Sequence, residues 1–344
     1  MNKKLIFSII MGSLVFLSFS CSTGSSQSNS SDNNVSEDSL TCDNYRAAMR
    51  NFVIKISETA RQSDSDFIVI PQNGQNVAWD DDDADSIVPD SAYFAAINGC
   101  GREDAFYGMN ASYDIADGTA TPDEQSQEIQ ELCDYYTAAG LTVLSTDYTG
   151  SDQSKITDSF AKNADKGYLS FAATERSLNV IPSYSVYNQN TDDVTSLSDA
   201  KNFLYIINPE NYDSKEAFVS ALADTDYDAI IMDLYCCDEA LTSSDIEAIR
   251  NKKSGGKRLL ICYMSIGEAE TYRWYWQSDW KSGSPSFICE ENTDWEGNYK
   301  VRYWYDSWQN IICGEDGYLS KIQEAGFDGV YLDIIDAFEY FEEE

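Results

Sequence analysis

The chain has 344 residues, with 59 acidic against 23 basic side chains for a formal charge of −36, and no histidine. So negative a chain repels nucleic acid, whose binding needs basic patches, and also acidic polysaccharides and anionic lipid, which leaves neutral or cationic polymers as compatible partners. The missing histidine removes Ser-His-Asp and Cys-His catalysis and the common zinc hydrolase sites. What remains for acid–base work is carboxylates, tyrosine and lysine, and hydrolysis by two carboxylates is the main chemistry that needs neither histidine, metal nor cofactor.

Lys3 and Lys4 precede an apolar run at 5–19, and Ser20 and Cys21 follow. A charged start, an apolar stretch shorter than the roughly 20 residues of a bilayer span, and a cysteine make a lipoprotein export signal. Residues 1–20 are therefore expected to be the signal peptide and Cys21 the lipidated N-terminus that holds the protein to a membrane after export. The Ser/Asn-rich stretch at 21–40 has too little apolar surface to fold and reads as a tether. Residues 41–344 then form the folded domain, a length that suits one large barrel or two small domains. Eight cysteines remain beside Cys21. An exported compartment permits disulfides, but there is no CxxC and the pairing is not legible.

Along this domain, short β-branched and aromatic runs alternate with amphipathic helical patterns. The runs lie at 67–71, 95–102, 141–147, 168–172, 203–208, 228–234, 258–266, 300–305 and 327–335. Helices are expected at about 43–62, 123–139, 213–223, 242–253 and 315–325, so the chain repeats βαβ units with a parallel sheet. The fold class that follows is α/β, a (β/α)8 TIM barrel of the glycosidase type. Nine candidate strands stand where eight are needed, and the run at 168–172 is assigned outside the regular barrel. The helix at 43–62 has no strand before it and can take the seat after the last strand. The acidic loop at 79–85 lacks EF-hand spacing and reads as a solvated charge run, with calcium as the alternative.

In a parallel barrel the site forms at the C-terminal ends of the strands. Polar residues expected there are Gln72 and Asn73, Arg102, Glu103 and Asp104, Asp147 and Tyr148, Asn208, Asp233, Ser265, Glu268 and Glu270, Tyr305 and Asp306, and Asp333 and Asp336. Any one of these carboxylates can instead cap a helix or face solvent, which suits Asp336 and Glu270. Asp333 differs, because it lies inside the apolar run VYLDII. Alternation puts it on the same face as Tyr331, pointing into the barrel mouth. A carboxylate there needs partners or a raised pKa, the condition that catalysis uses. Tyr263, Tyr272, Trp274, Trp276, Trp304 and Tyr305 suit stacking on sugars, or packing.

The segments ICYMSIGEAETYRWYW (261–276), NYKVRYWYDSWQNII (298–312) and AGFDGVYLDIIDAFEYF (325–341) resemble glycoside hydrolase family 114, the endo-α-1,4-polygalactosaminidases. The likeness is to the branch once labelled cysteinyl-tRNA synthetase-related, which FIVIPQNG (67–74) and GCGREDAFYG (99–108) also resemble. Members of that branch begin with the strand matching 203–208 and reach the PQNG and GRED segments last. Here those segments come first, which reads as a circular permutation. The resemblance implies a (β/α)8 barrel that hydrolyses α-1,4-galactosamine-containing polymers with paired acids. The acid of its DGV-x-x-D motif matches Asp333, and its second acid matches Glu103 by order and context, with Glu175 and Glu268 as rivals. Asp147, Asp233, Glu268, Tyr331, Tyr263, Trp304, Asn73 and Gln72 are then expected to bind substrate. The expectation is a surface-anchored glycosidase acting on polysaccharide without a metal. Its rivals are a non-catalytic glycan-binding lipoprotein on the same barrel and a hydrolase using a metal held by Asp and Glu.

Overall fold

The computed structural model describes residues 41–82, 84 and 86–343. The export signal, Cys21 and the tether expected at 1–40 lie outside the described residues. No helix among the described residues is long and apolar enough to cross a membrane.

Eight parallel strands carry the fold: β1 (Ile68–Pro71), β2 (Gly99–Glu103), β3 (Thr142–Tyr148), β4 (Leu169–Ala173), β5 (Phe203–Ile206), β6 (Ala229–Met232), β7 (Leu259–Ser265) and β8 (Gly329–Asp333). They form a five-stranded sheet in the order β1-β8-β7-β6-β5 and a three-stranded sheet in the order β2-β3-β4. The first and last strands are neighbours, with Ile70 opposite Tyr331 and Pro71 opposite Leu332. A parallel bridge between Gln72 and Gly101 joins β1 to β2, and β4 lies against β5. The fold is thus α/β with parallel sheets, as the alternating pattern implies.

The helices follow from their caps and apolar spacing. The Asn44 side chain accepts a hydrogen bond from the Ala47 amide and starts α1 (Tyr45–Arg61). Its buried Met49, Phe52, Val53, Ile56 and Ala60 recur every three or four residues. That face packs against α2 (Ser91–Ala96), α7 (Asp306–Cys313), α8 (Tyr318–Ala325) and α9 (Ala337–Glu343), so the helix with no preceding strand takes the seat beyond the last one. The helices α3 (Asp123–Ala138), α4 (Gln153–Lys166), α5 (Lys215–Ala223) and α6 (Ser243–Ala248) follow β2, β3, β5 and β6. Between β4 and β5 there is only a 3-10 turn, Leu197–Asp199.

Two expectations change. The run at 168–172 is not an outlier, because β4 pairs in parallel with β3 from Leu169 opposite Leu144 to Ala173 opposite Tyr148. The extra strand is the one at 300–305. Its start belongs to Asn298–Val301, which pairs antiparallel with Glu268–Glu270 on one side and Ile288–Glu291 on the other, above β7. The acidic loop is not a free charge run either. Asp82 pairs with Arg46 at 2.7 Å and accepts from the Trp79 indole at 2.6 Å, and Asp80 pairs with Arg50, so the loop is strapped to α1.

Candidate active site

Period-2 alternation and the ladder registers decide what faces inward. Asp333 stands opposite Ser265 and Tyr331 opposite Tyr263, while Glu103 stands opposite Thr146. These side chains rise from the C-terminal ends of β2, β7 and β8. Beneath them lies a floor of tyrosines. The Tyr205 hydroxyl, from β5, donates to Gln72 Oε1 beyond β1 at 2.8 Å and so crosses the interior. The Tyr205 and Tyr331 rings meet edge to face, with centroids 5.2 Å apart. The Tyr331 hydroxyl is buried without a hydrogen-bond partner and sits where a side chain on Gly101 would project: a Cβ there would lie 1.8 Å from it. Glycine at 101 is what allows β2 to approach the ring.

The two expected acids stand at this floor in different surroundings. Asp333 accepts a hydrogen bond from the Tyr263 hydroxyl at 2.7 Å. Burial pushes its carboxyl up to about 8; the Tyr263 bond opposes that rise and the nearby charge of Glu103 adds to it. Glu103 is held by two donors, the Tyr148 hydroxyl on Oε1 and Asn73 Nδ2 on Oε2 at 2.9 Å. Asn73 is placed by a left-handed backbone, φ 56°, and its Oδ1 accepts from the Glu103 amide at 3.1 Å. Asp333 is therefore set to hold a proton at neutral pH, and both acids face the same tyrosines, since each adds to the rise that burial gives the Tyr205 and Tyr331 phenols.

The ring beyond Glu103 contains a residue that single-strand reading passed over. Arg176, three residues past β4, lies over the Tyr148 ring at 3.6 Å and pairs with Asp104 at 2.7 Å. Burial raises the Asp104 carboxyl to about 7 against the opposing charge of Arg176. Tyr148, Tyr205 and Arg176 matter only through partners on other strands, and their runs carry no local signal of that.

Glu268 belongs to the antiparallel strands above β7, opposite Lys300, and is 1 % exposed. Its Oε1 accepts from Asn292 Nδ2 at 2.8 Å and stands 3.9 Å from Lys300 Nζ, while Oε2 has no hydrogen-bond partner. Burial raises its pKa, as it does that of Asp336 nearby. Glu270 does not face solvent: with Asp233 it clamps Arg273, at 2.5 and 2.7 Å.

The other expected contacts have different uses. Asp147 is wholly buried and faces away from the mouth, because alternation on β3 turns Tyr148 inward. Its oxygens accept from the Phe106 and Tyr107 amides, Ser159 Oγ and Asn163 Nδ2, which brace α4 and leave little for a ligand. Asp233 is spent on Arg273 and on the Tyr235 amide at 2.8 Å. Trp304 packs among Tyr45, Tyr303 and Phe341, with ring centroids 4.8–5.2 Å away, in the seam of α1 and α9. Glu175 is exposed beyond β4. The structure thus brings together Asp333, Glu103, Tyr263, Tyr331, Gln72 and Asn73, with Glu268 buried near Asp336.

Comparison with known proteins finds partial matches. An uncharacterized protein of Methanocaldococcus jannaschii is 38% identical over 157 residues, 45% of this chain and 43% of its own length. Uncharacterized proteins of Thermotoga maritima and Deinococcus radiodurans are 44% identical over 84 residues and 48% identical over 82, each match covering 24% of this chain and 25% and 26% of theirs. The chain spans less than half the length of these curated relatives. A family model described as glycoside-hydrolase family GH114 matches residues 188–344, which hold β5 to β8 and Asp333 but not Glu103. Over residues 188–344 this chain is similar to glycoside-hydrolase family GH114.

Proposed function

We propose that the protein is a glycosidase that cleaves polysaccharide with Asp333 and Glu103. The observation that carries this reading is Asp333: a carboxyl at the end of a parallel strand, hydrogen-bonded by Tyr263 and holding its proton to about 8, beside a second carboxylate fixed by Tyr148 and Asn73. Asp333 would protonate the leaving glycosidic oxygen. Glu103 would attack the anomeric carbon or activate a water. Separations of about 5 Å and about 6.5–9.5 Å distinguish these two courses, retaining and inverting. Glu268, with a buried oxygen still free to accept, would hold a donor group of the sugar. A galactosamine-containing polymer is the substrate that the family resemblance and the charge of −36 favour.

The same reading takes the eight strands as one closed (β/α)8 barrel, supported by the β8–β1 ladder and by the bridge from Gln72 to Gly101. It takes the chain as a circular permutation, supported by the order of the family-like segments, with PQNG and GRED ahead of the strand at 203–208. It also takes the protein as exported and tethered to a membrane through Cys21, with no nucleic-acid partner and no cofactor.

The test is release of reducing ends from the polymer by wild type, Asp333→Asn and Glu103→Gln. General acid–base groups contribute on the order of 100- to 10,000-fold, and each variant should lose at least the lower figure. Retention of wild-type rates by either variant removes that residue from the pair.

A further inference from the structure

Just past β6 the chain makes a tight hairpin that the proposed hydrolysis does not use. Tyr235–Cys236 pairs antiparallel with Glu239–Ala240, with Glu239 opposite Cys236. The two turn residues, Cys237 and Asp238, have left-handed backbones with φ 55° and 63°. Such turns favour glycine and asparagine, so a cysteine here is a departure from ordinary hairpin chemistry. Adjacent side chains on a strand point to opposite faces. The left-handed turn instead swings Cys237 round until its sulfur lies 3.3 Å from that of Cys236. Cys236 is buried, and Cys237 is exposed.

We propose that Cys236 and Cys237 form a modification site, a dithiol that reacts with low-molecular-weight disulfides and closes as a vicinal disulfide. The exposed Cys237 thiolate attacks one sulfur of the external disulfide, forming a mixed disulfide and releasing one thiolate, which takes up the proton that Cys237 lost. Cys236 then loses its proton and attacks the Cys237 sulfur, releasing the second external thiol. Two electrons leave the protein pair, and the external disulfide is reduced to two thiols. Access sets the order, because the attacking thiolate must reach its target. Burial pushes the Cys236 thiol up to about 12, with Cys237 beside it adding to the rise, so Cys236 acts second and within the hairpin. The sulfurs need move only from contact to the bonded distance of about 2.05 Å. Consecutive Cα atoms stand about 3.8 Å apart, shorter than the usual disulfide range of about 4.4–6.8 Å, so the product is a strained and readily reduced bond. Closure would draw the Cys237 sulfur from the Tyr212 carbonyl, 3.4 Å away, and act on the hairpin whose Tyr235 amide holds Asp233.

The test treats the full-length protein with oxidised glutathione, alkylates the remaining thiols and weighs the peptide that carries both cysteines. The expected peptide is two hydrogens lighter than the dithiol, carries neither alkyl group nor glutathione, and regains both thiols with dithiothreitol. Cys236→Ser, which lacks the resolving thiol, should accumulate glutathione on Cys237. A wild-type peptide alkylated at both cysteines, left with stable glutathione, or joined to a third cysteine overturns the proposal. The wild-type measurement decides the question even where the serine variant does not fold.

Discussion

Asp333 is held in a state that costs the fold stability. In the unfolded chain an aspartate titrates near 3.9, at about the ordinary value; in the fold Asp333 keeps its proton to about 8. Between those values the unfolded chain binds fewer protons, so this group's stabilising contribution is full below about 4 and lost once the pH has risen through about 8. Asp333→Asn removes the titration while keeping the shape. Thermal melts should show the variant with a higher Tm than wild type at pH 9 and little difference at pH 4; an equal loss of Tm at both would count against a strained carboxyl. Tyr263→Phe tests the same group through its donor. The Tyr263 hydroxyl lowers the Asp333 pKa, so its loss should raise that pKa. If Asp333 is the general acid, the alkaline limb of the kcat/KM profile should then move to higher pH, and a shift to lower pH would reverse the assignment. Asp333 was legible in the sequence because a lone acid in VYLDII breaks an apolar run. Asp147 misled because the same alternation, applied to TVLSTDY, turns Tyr148 inward and Asp147 out, and a strand-end acid looks alike from either face.

Among the elements, the segment between β4 and β5 has almost no regular structure and is fixed by side chains instead. At the start of β6, Asp228 and Lys252 form an ion pair at 2.7 Å with both side chains fully buried. Lys252 Nζ also donates to the Asp192 carbonyl at 2.7 Å and to Asn190 Oδ1 at 3.0 Å, and Asn190 Nδ2 donates to Asp228 Oδ2 at 2.9 Å. Removing one partner strands the other charge. Lys252→Met should destabilise the protein by roughly 3–5 kcal/mol in urea melts, with Asp228→Asn added to it recovering part of the loss. An unchanged midpoint for the single variant would contradict the role given to this pair. Sequence pattern could find β5 and β6, whose runs are apolar throughout, but not this pin. Its members are scattered over 190–252 and none is unusual alone.

At the scale of the whole molecule, nine candidate runs stand for eight places, and two of them, 168–172 and 300–305, exchange roles in the structure. The run at 300–305 looks like a barrel strand because Val301, Tyr303 and Tyr305 alternate and are buried. Val301 belongs to the antiparallel strands above β7 and Tyr303 packs on Phe341 of α9, whereas β4 is a true member of the parallel set. Alternation reports burial, and burial does not say which sheet provides it. The adjacency of first and last strands was legible only through the orphan helix at 43–62 and the order of the family motifs. The pairing of β1 with β8 sets the two ends of the strand series side by side.

The most direct measurement is mass-spectrometric product analysis of the protein incubated with neutral and galactosamine-containing polysaccharides, beside a folded Asp333→Asn variant. Oligosaccharides released by wild type and absent with the variant are the expected result. Equal cleavage by the variant would contradict the role of Asp333, and polymer recovered intact from a tight complex with wild type would show a glycan-binding protein instead of a hydrolase.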